Sequence, residues 1–560
     1  MKYSTKEIFK TIIVFCAFIG IVIFGFKLYQ HQVHLEDVIT VLLANDKHSA
    51  QKKMGVVTPE ATIEAVHSWA EVQKKTKDTV VQVFTESFEL NWLEPYRPPE
   101  QRAGTGSGFF INSAGEFLTN YHVVSQASQI SIQVPSTGQI RFEAKVVGVN
   151  PDRDVALCRL TAEALDTLRT EIGVIPYLEF GNSDAVKRGH DVLILGYPLG
   201  QGYIKSTQGI ISGRERVRLL NNHMCFQMTA PINPGNSGGP SLDAHGRVTG
   251  IAFAGITSAQ NVGYIIPIND IKIALKDLYE IPLLRKPQLG VLFLPSTESL
   301  MKYYKNPTGG GLYVAKIFKD SVLERAGMLE GDVVTEVDGH RLDYHGETNV
   351  NWSEDRVGLI DLLSRKTAGD KVTFVFYRKG QQKVVSVNLE PRTNQPIRFI
   401  YPEFEKTRTD YEVVGGTVFM ELSINHVLLM EGAQSLMKYV SPENQFESKL
   451  LVTHVLPTSP ASRLNKLINP GMVIEEVNNI KVGTLDEMRE AIKQNKESDF
   501  ITFSSSDNRF FVLAIKDILM HEERLARTFH YKSSIVSYLL QQQLQPKKSR
   551  NVLGALLSGG

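Results

Sequence analysis

At 560 residues the chain is too long for one hydrophobic core, so three or four domains of ordinary size are expected. Hydrophobic residues at 42%, aromatics at 9% and a formal charge of +1 describe an ordinary globular protein and exclude the cationic excess of a dedicated nucleic-acid binder. Only Cys16, Cys158 and Cys225 occur, which excludes a multi-bridge disulfide framework and leaves open a single bridge between the last two.

Residues 11–26 form an uninterrupted run of apolar and small side chains, preceded by Lys2, Lys6 and Lys10. The run is short for a spanning helix, so a cleaved signal peptide competes. No A-x-A cleavage pattern follows, which favours an uncleaved anchor over residues 1–30. Lysines on the N-terminal flank keep that end in the cytoplasm and send the remainder across the membrane, into a periplasm or an equivalent compartment. Residues 31–77 read as a helical linker, with Thr58-Pro59-Glu60 as a start signal. His31 and His34 share a helix face but lack further ligands, so no metal and no cofactor are expected.

From Thr79 the pattern changes to short β-rich runs such as 80–84, 130–134 and 192–195, separated by Gly and Pro turns. That is the signature of a β-barrel or sandwich. It ends near Pro267, and 269–279 has helical spacing. Two later stretches share a layout of apolar strand, small-residue turn and second strand: 311–339 and 450–478. They read as a degenerate repeat. Between them, 390–410 is rich in Pro, Arg and Thr, which suits a linker.

The loop Gly235-Asn236-Ser237-Gly238-Gly239-Pro240 sets a serine hydroxyl in backbone that can turn tightly. Its Gly235 and Ser237 N–H groups, with Asn236 between them, can form an oxyanion hole. A serine is a weak nucleophile unless a base takes its proton, and the base works best when a carboxylate fixes its tautomer. His122 follows the run 118–119 just after a strand, and Asp154 opens the apolar strand 155–157 and is preferred to Asp152. The order His, Asp, Ser on a β-rich background is one of those in which such a triad has arisen.

The segments GTGSGFFIN, TNYHVV, DRDVAL and NPGNSGGP resemble the HtrA (DegP-like, or Deg) branch of the chymotrypsin-like serine proteases. GYPLG at 196–200, STQGIIS at 206–212, NVGYIIP at 261–267 and GGTVF at 415–419 are similar to the plant-type Deg members. The resemblance implies a mainly β fold: a chymotrypsin-like double β-barrel at 78–282, then two α+β PDZ domains at 283–392 and 411–520. A linker at 393–410 and a helical tail at 521–560 complete the layout. It also implies Ser237 as nucleophile, His122 as general base, Asp154 as its orienting partner, and a homo-oligomer of trimers or their multiples. One departure is Thr229-Ala230-Pro231, where bacterial members usually carry Asp-Ala-Ala.

Pro231 and Ile232 precede the loop, and Ile251, Ala252, Phe253 and Ala254 are expected to line the pocket wall. No acidic residue sits among them, so small aliphatic side chains are a better fit than Lys or Arg. Gln288-Leu289-Gly290-Val291 resembles the turn by which a PDZ domain holds a peptide C-terminus. The second PDZ, with a long insertion at 425–449 and no clear carboxylate loop, suits packing or assembly. The reading is a membrane-anchored serine endopeptidase acting on unfolded or damaged proteins outside the cytoplasm. Its rivals are a chaperone or adaptor with latent proteolysis, and a signalling protease that cuts one membrane regulator.

Overall fold

Alternating Val, Ile and Phe positions from Val80 onward form the strands of two closed antiparallel barrels. The computed structural model describes residues 68–217, 223–253, 262–307, 309–391, 395–430, 432–464, 466–495 and 498–544. All of them fall in the unit Val66–Gly560. The apolar run 11–26, most of the predicted helical linker and the end of the tail lie outside the described residues. Among the described residues no helix is long and apolar enough to cross a membrane.

The first barrel comprises β1 (Val80–Glu89), β2 (Glu100–Phe110), β3 (Glu116–Thr119), β4 (Ala127–Gln133), β5 (Phe142–Asn150) and β6 (Val155–Leu160), in the order β1-β2-β3-β6-β5-β4. The second comprises β7 (Asp191–Gly196), β8 (Lys205–Val217), β9 (His223–Met228), β10 (Pro240–Leu242), β11 (Val248–Phe253) and β12 (Gly263–Pro267), in the order β10-β11-β12-β9-β8-β7. Successive side chains on a strand face opposite ways, and β7 uses both faces. Val192 and Ile194 join Phe226, Met228 and Ile265 in one core, while Leu193 and Leu195 pack with Phe109, Leu118 and Leu157 of the first barrel in another. That second core ties the barrels together and takes in Ile271, Ala274 and Leu278 of the helix Ile268–Glu280. Burying a side chain such as Leu278 fully contributes about 1.5–3 kcal/mol. Cys158 and Cys225 are buried and free, so the bridge left open by the sequence is not formed. Burial pushes the Cys158 thiol up to about 12.

Each repeat folds as an antiparallel sheet with short helices. The first has the strand order Val291–Pro295, Leu312–Ile317, Val333–Val337, Lys371–Arg378, Gln381–Asn388. The second runs Glu412–Val414, Thr417–Glu421, Leu450–Val455, Val473–Val477, Phe500–Ser505, Phe510–Ala514.

Two of the expected boundaries need correction. Residues 395–410 are a seated strap, because Ile397 and Ile400 are buried and Glu405 accepts from Arg398 at 2.5 Å and also from Arg285. The division at 520/521 cuts the helix Ile515–Phe529, which together with Ser534–Leu544 belongs to the second repeat. Ile518, Ile535 and Val536 lie in that repeat's own core.

The β1–β2 hairpin reaches the second repeat through two aromatic anchors. Tyr96 packs with Val413, Leu456 and Tyr531, and Trp92 meets the His426 ring edge-on at 5.2 Å. His426 is fully buried, and its Nδ1 accepts the Ser423 N–H at 3.1 Å. Burial holds its pKa down to about 3. The folded chain therefore keeps this imidazole neutral where the unfolded chain protonates it near pH 6.5. Stability from this group is intact above that pH and declines as pH falls toward 3, by about 2 kcal/mol at pH 5. Amide exchange in Thr417–Glu421 should speed up between pH 7 and pH 5 beyond its intrinsic chemistry, and His426→Gln should remove most of that gain.

Candidate active site

His122 stands on the helical turn Tyr121–Val124, which follows β3 directly. Asp154 follows the short turn Pro151–Arg153 and opens β6 with φ 50° and ψ 48°, a left-handed conformation that is uncommon for a residue with a Cβ. Asn150 caps that turn by accepting the Arg153 N–H at 3.2 Å, and Asn120 Nδ2 donates to the Asp154 carbonyl at 2.8 Å. These contacts aim the Asp154 carboxylate at His122. Its Oδ1 accepts the His122 backbone N–H at 2.8 Å, and its Oδ2 lies 2.7 Å from Nδ1.

The grip settles the imidazole tautomer. A carboxylate can only accept, so Nδ1 carries the hydrogen and Nε2 keeps its lone pair. The Asp154 side chain is 5% exposed and that of His122 45%, so the carboxylate is buried while the imidazole faces outward. Desolvation alone would lower the imidazole pKa, but the Asp154 charge and hydrogen bond together outweigh it and hold the pKa above the ordinary value. Phe253 closes one side of the ring, edge-on at 6.0 Å.

Ser237 comes from the second barrel, in the loop that precedes β10. Gly235 has φ +98° and Gly238 φ +87°, which only glycine adopts without strain. The Leu199 N–H pins the Pro234 carbonyl at 2.6 Å. In a trans peptide the next N–H points the opposite way, so Gly235 N–H is turned from Leu199. Among the described residues neither the Gly235 nor the Ser237 N–H donates to another protein group, whereas the Asn236 N–H is used by Asn233. Two donors thus stay available beside the hydroxyl. No hydrogen bond joins Ser237 Oγ to His122 among the described residues, a looseness common in sites without substrate.

Ser107, which the sequence reading left without a role, bolts this loop to the first barrel. Its N–H donates to the Ser237 carbonyl at 2.9 Å, and its Oγ donates to the Gly235 carbonyl at 2.6 Å. The same Oγ accepts the Tyr197 N–H at 2.9 Å, and the Ser107 carbonyl accepts Thr119 Oγ1 at 2.7 Å. Its position in the glycine-rich GTGSG run was the available signal. A Cβ on Gly238 would sit 2.1 Å from the Ser107 carbonyl and 2.3 Å from Thr119 Oγ1. Gly238→Ala should therefore push the loop off its bolt and cut active-site titration with a serine-directed probe at least about 100-fold, as for comparable misplacement.

The pocket residues separate. Ile232 packs against the second-barrel core that includes Ala252, and it lies where a Cβ on Gly263 would stand, 2.7 Å away. Ile251 is fully buried in the core shared by the barrels, so it backs the wall rather than surfacing it, which corrects its assignment. Pro231 is exposed, and Ala254 lies outside the described residues.

In the first repeat Leu289 belongs to the core, and Gly290, with φ +67°, turns the chain into the strand Val291–Pro295. That strand ends its sheet, so one edge is unpaired among the described residues. Gln288 and Gly290 also line a cleft of about 850 Å³ whose far wall is formed by Lys438, Tyr439 and Phe446 of the 425–449 insertion. The second repeat differs: Glu412–Val414 pairs with Thr417–Glu421 through a Gly415-Gly416 hairpin and fills that edge. Its Glu412 carboxylate is buried and receives Arg489 Nε at 2.9 Å and Ser533 Oγ at 2.6 Å.

Residues 106–251 match the trypsin-like peptidase domain family, and 287–389 and 401–535 each match a PDZ domain family. A probable periplasmic serine endoprotease, DegP-like, of Marinomonas sp. is 32% identical over 53% of this chain, and the alignment spans 60% of that relative. A DegP-like relative of the same description in Hahella chejuensis is 26% identical over 82% of this chain and 92% of its own length. Protease Do-like 2, chloroplastic, of Arabidopsis thaliana is 30% identical over 62% of this chain and 56% of its own length. A trypsin-like peptidase domain thus leads two PDZ domains in this chain, and the relatives aligned with it are DegP-like and Do-like serine proteases, of which the Marinomonas and Arabidopsis proteins are spanned over less than two thirds of their length.

Proposed function

We propose that this chain is a serine endopeptidase that cleaves unfolded or damaged polypeptides outside the cytoplasm. The observation that carries the reading is the two-point grip of Asp154 on His122, which leaves Nε2 free to accept a proton on the side open to solvent. Ser237 Oγ attacks the substrate carbonyl while Nε2 takes its proton, and Asp154 stabilises the imidazolium that forms. Gly235 and Ser237 N–H groups receive the developing oxyanion. The imidazolium then protonates the leaving amine, and water, activated by the same Nε2, releases the acyl group.

The apolar surroundings of Ile232 suit a small aliphatic side chain at the cleaved position. The open edge of Val291–Pro295, next to the Gln288–Gly290 turn, supports the first PDZ domain as the one that captures peptide C-termini, and the filled edge of the second favours a packing role for it. Relatives described as periplasmic endoproteases favour a periplasmic or equivalent location, with residues 1–30 as an inner-membrane anchor. The active form is a homo-oligomer, a trimer or its multiples. The test is fluorophosphonate labelling with cleavage of unfolded casein, using Ser237→Ala as control. A wild-type protein that neither labels nor cleaves, with or without activating C-terminal peptides, overturns the reading.

A further inference from the structure

The residue just before each member of the His122–Asp154 pair is held by the PDZ region. Tyr121 is buried, meets the Tyr401 ring edge-on at 5.6 Å, and donates its hydroxyl to Glu403 Oε1 at 2.6 Å. Both partners sit on the strap 395–410 between the PDZ domains. Burial and the Glu403 charge raise the Tyr121 pKa, so the phenol remains a donor. Glu403 Oε1 also receives the Gln126 N–H at 3.4 Å, so this one carboxylate oxygen contacts the chain at both ends of the His122 turn.

Arg153 is equally committed. It is 3% exposed, and its Nη2 donates at 2.5 Å to the carbonyl of Ser364, the last residue of the first PDZ helix Leu359–Ser364. That helix is clamped to the peptidase by Asp361 with Arg216 at 2.5 Å, and Arg365, just beyond it, pairs with Asp184 at 2.9 Å. The neighbouring Asp152 receives the Lys286 N–H at 2.8 Å, on the chain entering the first PDZ domain. Asp154 stands in a left-handed conformation that surrounding contacts must hold. A change in the position of the Leu359–Ser364 helix therefore bears on the turn that aims the carboxylate.

We propose that Tyr121 and Arg153 are positioning residues, through which the inter-PDZ strap and the first PDZ helix set the geometry of the His122–Asp154 pair. The inference rests on the serine-protease reading above. It assigns the two tethers to kcat rather than to substrate binding, because both side chains are committed to the PDZ region.

The test uses the full-length chain and a short peptide p-nitroanilide ending in a small aliphatic residue, with rates expressed per site titrated by fluorophosphonate. Tyr121→Phe and Glu403→Ala should each lower kcat about tenfold with KM unchanged, as expected for a sub-ångström misplacement of the base. Their double variant should lose no more than the larger of the two single losses, because the Tyr121–Glu403 hydrogen bond is already absent from each single variant. Glu403→Gln, which keeps an acceptor oxygen, should retain wild-type kcat. Arg153→Met should show a similar kcat loss, partly rescued by Arg153→Lys. Unchanged kcat per site in either Tyr121→Phe or Arg153→Met overturns the proposal even if melting temperature falls, and so does multiplication of the Tyr121→Phe and Glu403→Ala losses. A wild-type protein without hydrolysis or labelling sinks the protease reading itself, whereas an active wild type with indifferent variants sinks only the tethers.

Discussion

Ser237→Ala should lower kcat on an unfolded protein substrate by about 10⁶-fold, and His122→Ala by nearly as much, as in other enzymes where hydroxyl and base act as a unit. The double variant should fall no further. Without the hydroxyl there is no acyl intermediate, and without Nε2 the hydroxyl keeps its proton. What survives is the contribution of bound substrate facing the Gly235 and Ser237 N–H donors. Both substitutions leave the loop intact, since Gly235 and Gly238 supply its turns and Ser107 holds it through the Ser237 and Gly235 carbonyls. Circular dichroism and melting temperature should therefore match wild type, and a residual rate traceable to Ser237 chemistry in the single variant would contradict the assignment.

Asp154→Asn should cost about 10⁴-fold in kcat with the fold unchanged. The geometry states why. Oδ1 accepts the His122 backbone N–H, so the asparagine must keep its oxygen there and place its NH₂ against Nδ1. Nδ1 then becomes the acceptor, Nε2 carries the hydrogen, and the imidazole cannot take the Ser237 proton. The pH profile gives a second readout. Asp154 raises the His122 pKa, and a general base is inactive once protonated, so wild-type kcat/KM should fall on the acid side with a midpoint above that of an ordinary imidazole. Removing the charge leaves desolvation, which lowers the pKa, and the acid limb of the residual activity should move to lower pH. A limb that stays in place would show that a group other than His122 titrates there.

The Ser107 bolt, the Asp154 grip and the two tethers differ in how far they could be read from the chain. His122 and Asp154 stand out in the sequence because the proposed chemistry restricts residue type and order, and each stands at the end of a recognisable strand. The two repeats were legible from their strand and turn pattern. The helix Ala162–Ile172 is absent from the layout expected from the sequence, although Thr161 accepts the Ala164 N–H as its N-cap and Leu168 is fully buried. By sequence the strap 395–410 is a plain linker, because Pro, Arg and Thr describe a loop equally well whether it is free or seated. Its seating comes from Arg285, which lies more than a hundred residues away in sequence and pairs with Glu405.

The sequence by itself determined a β-rich barrel or sandwich pattern, a degenerate repeat and the order His122, Asp154, Ser237, while the double barrel and the two PDZ domains followed from its resemblance to HtrA-type proteases. Local rules suffice for the patterns, since strand alternation, glycine turns and residue order are written in short windows. Tertiary structure alone decided that Ile251 is core, that the second PDZ edge is filled by Glu412–Val414, and that Tyr121 and Arg153 face the PDZ region. Those outcomes rest on side chains meeting partners in distant segments, as Tyr121 meets Glu403 and Arg153 meets Ser364. A hydrogen bond between such residues leaves no periodicity in either segment, so only the folded chain brings it into view.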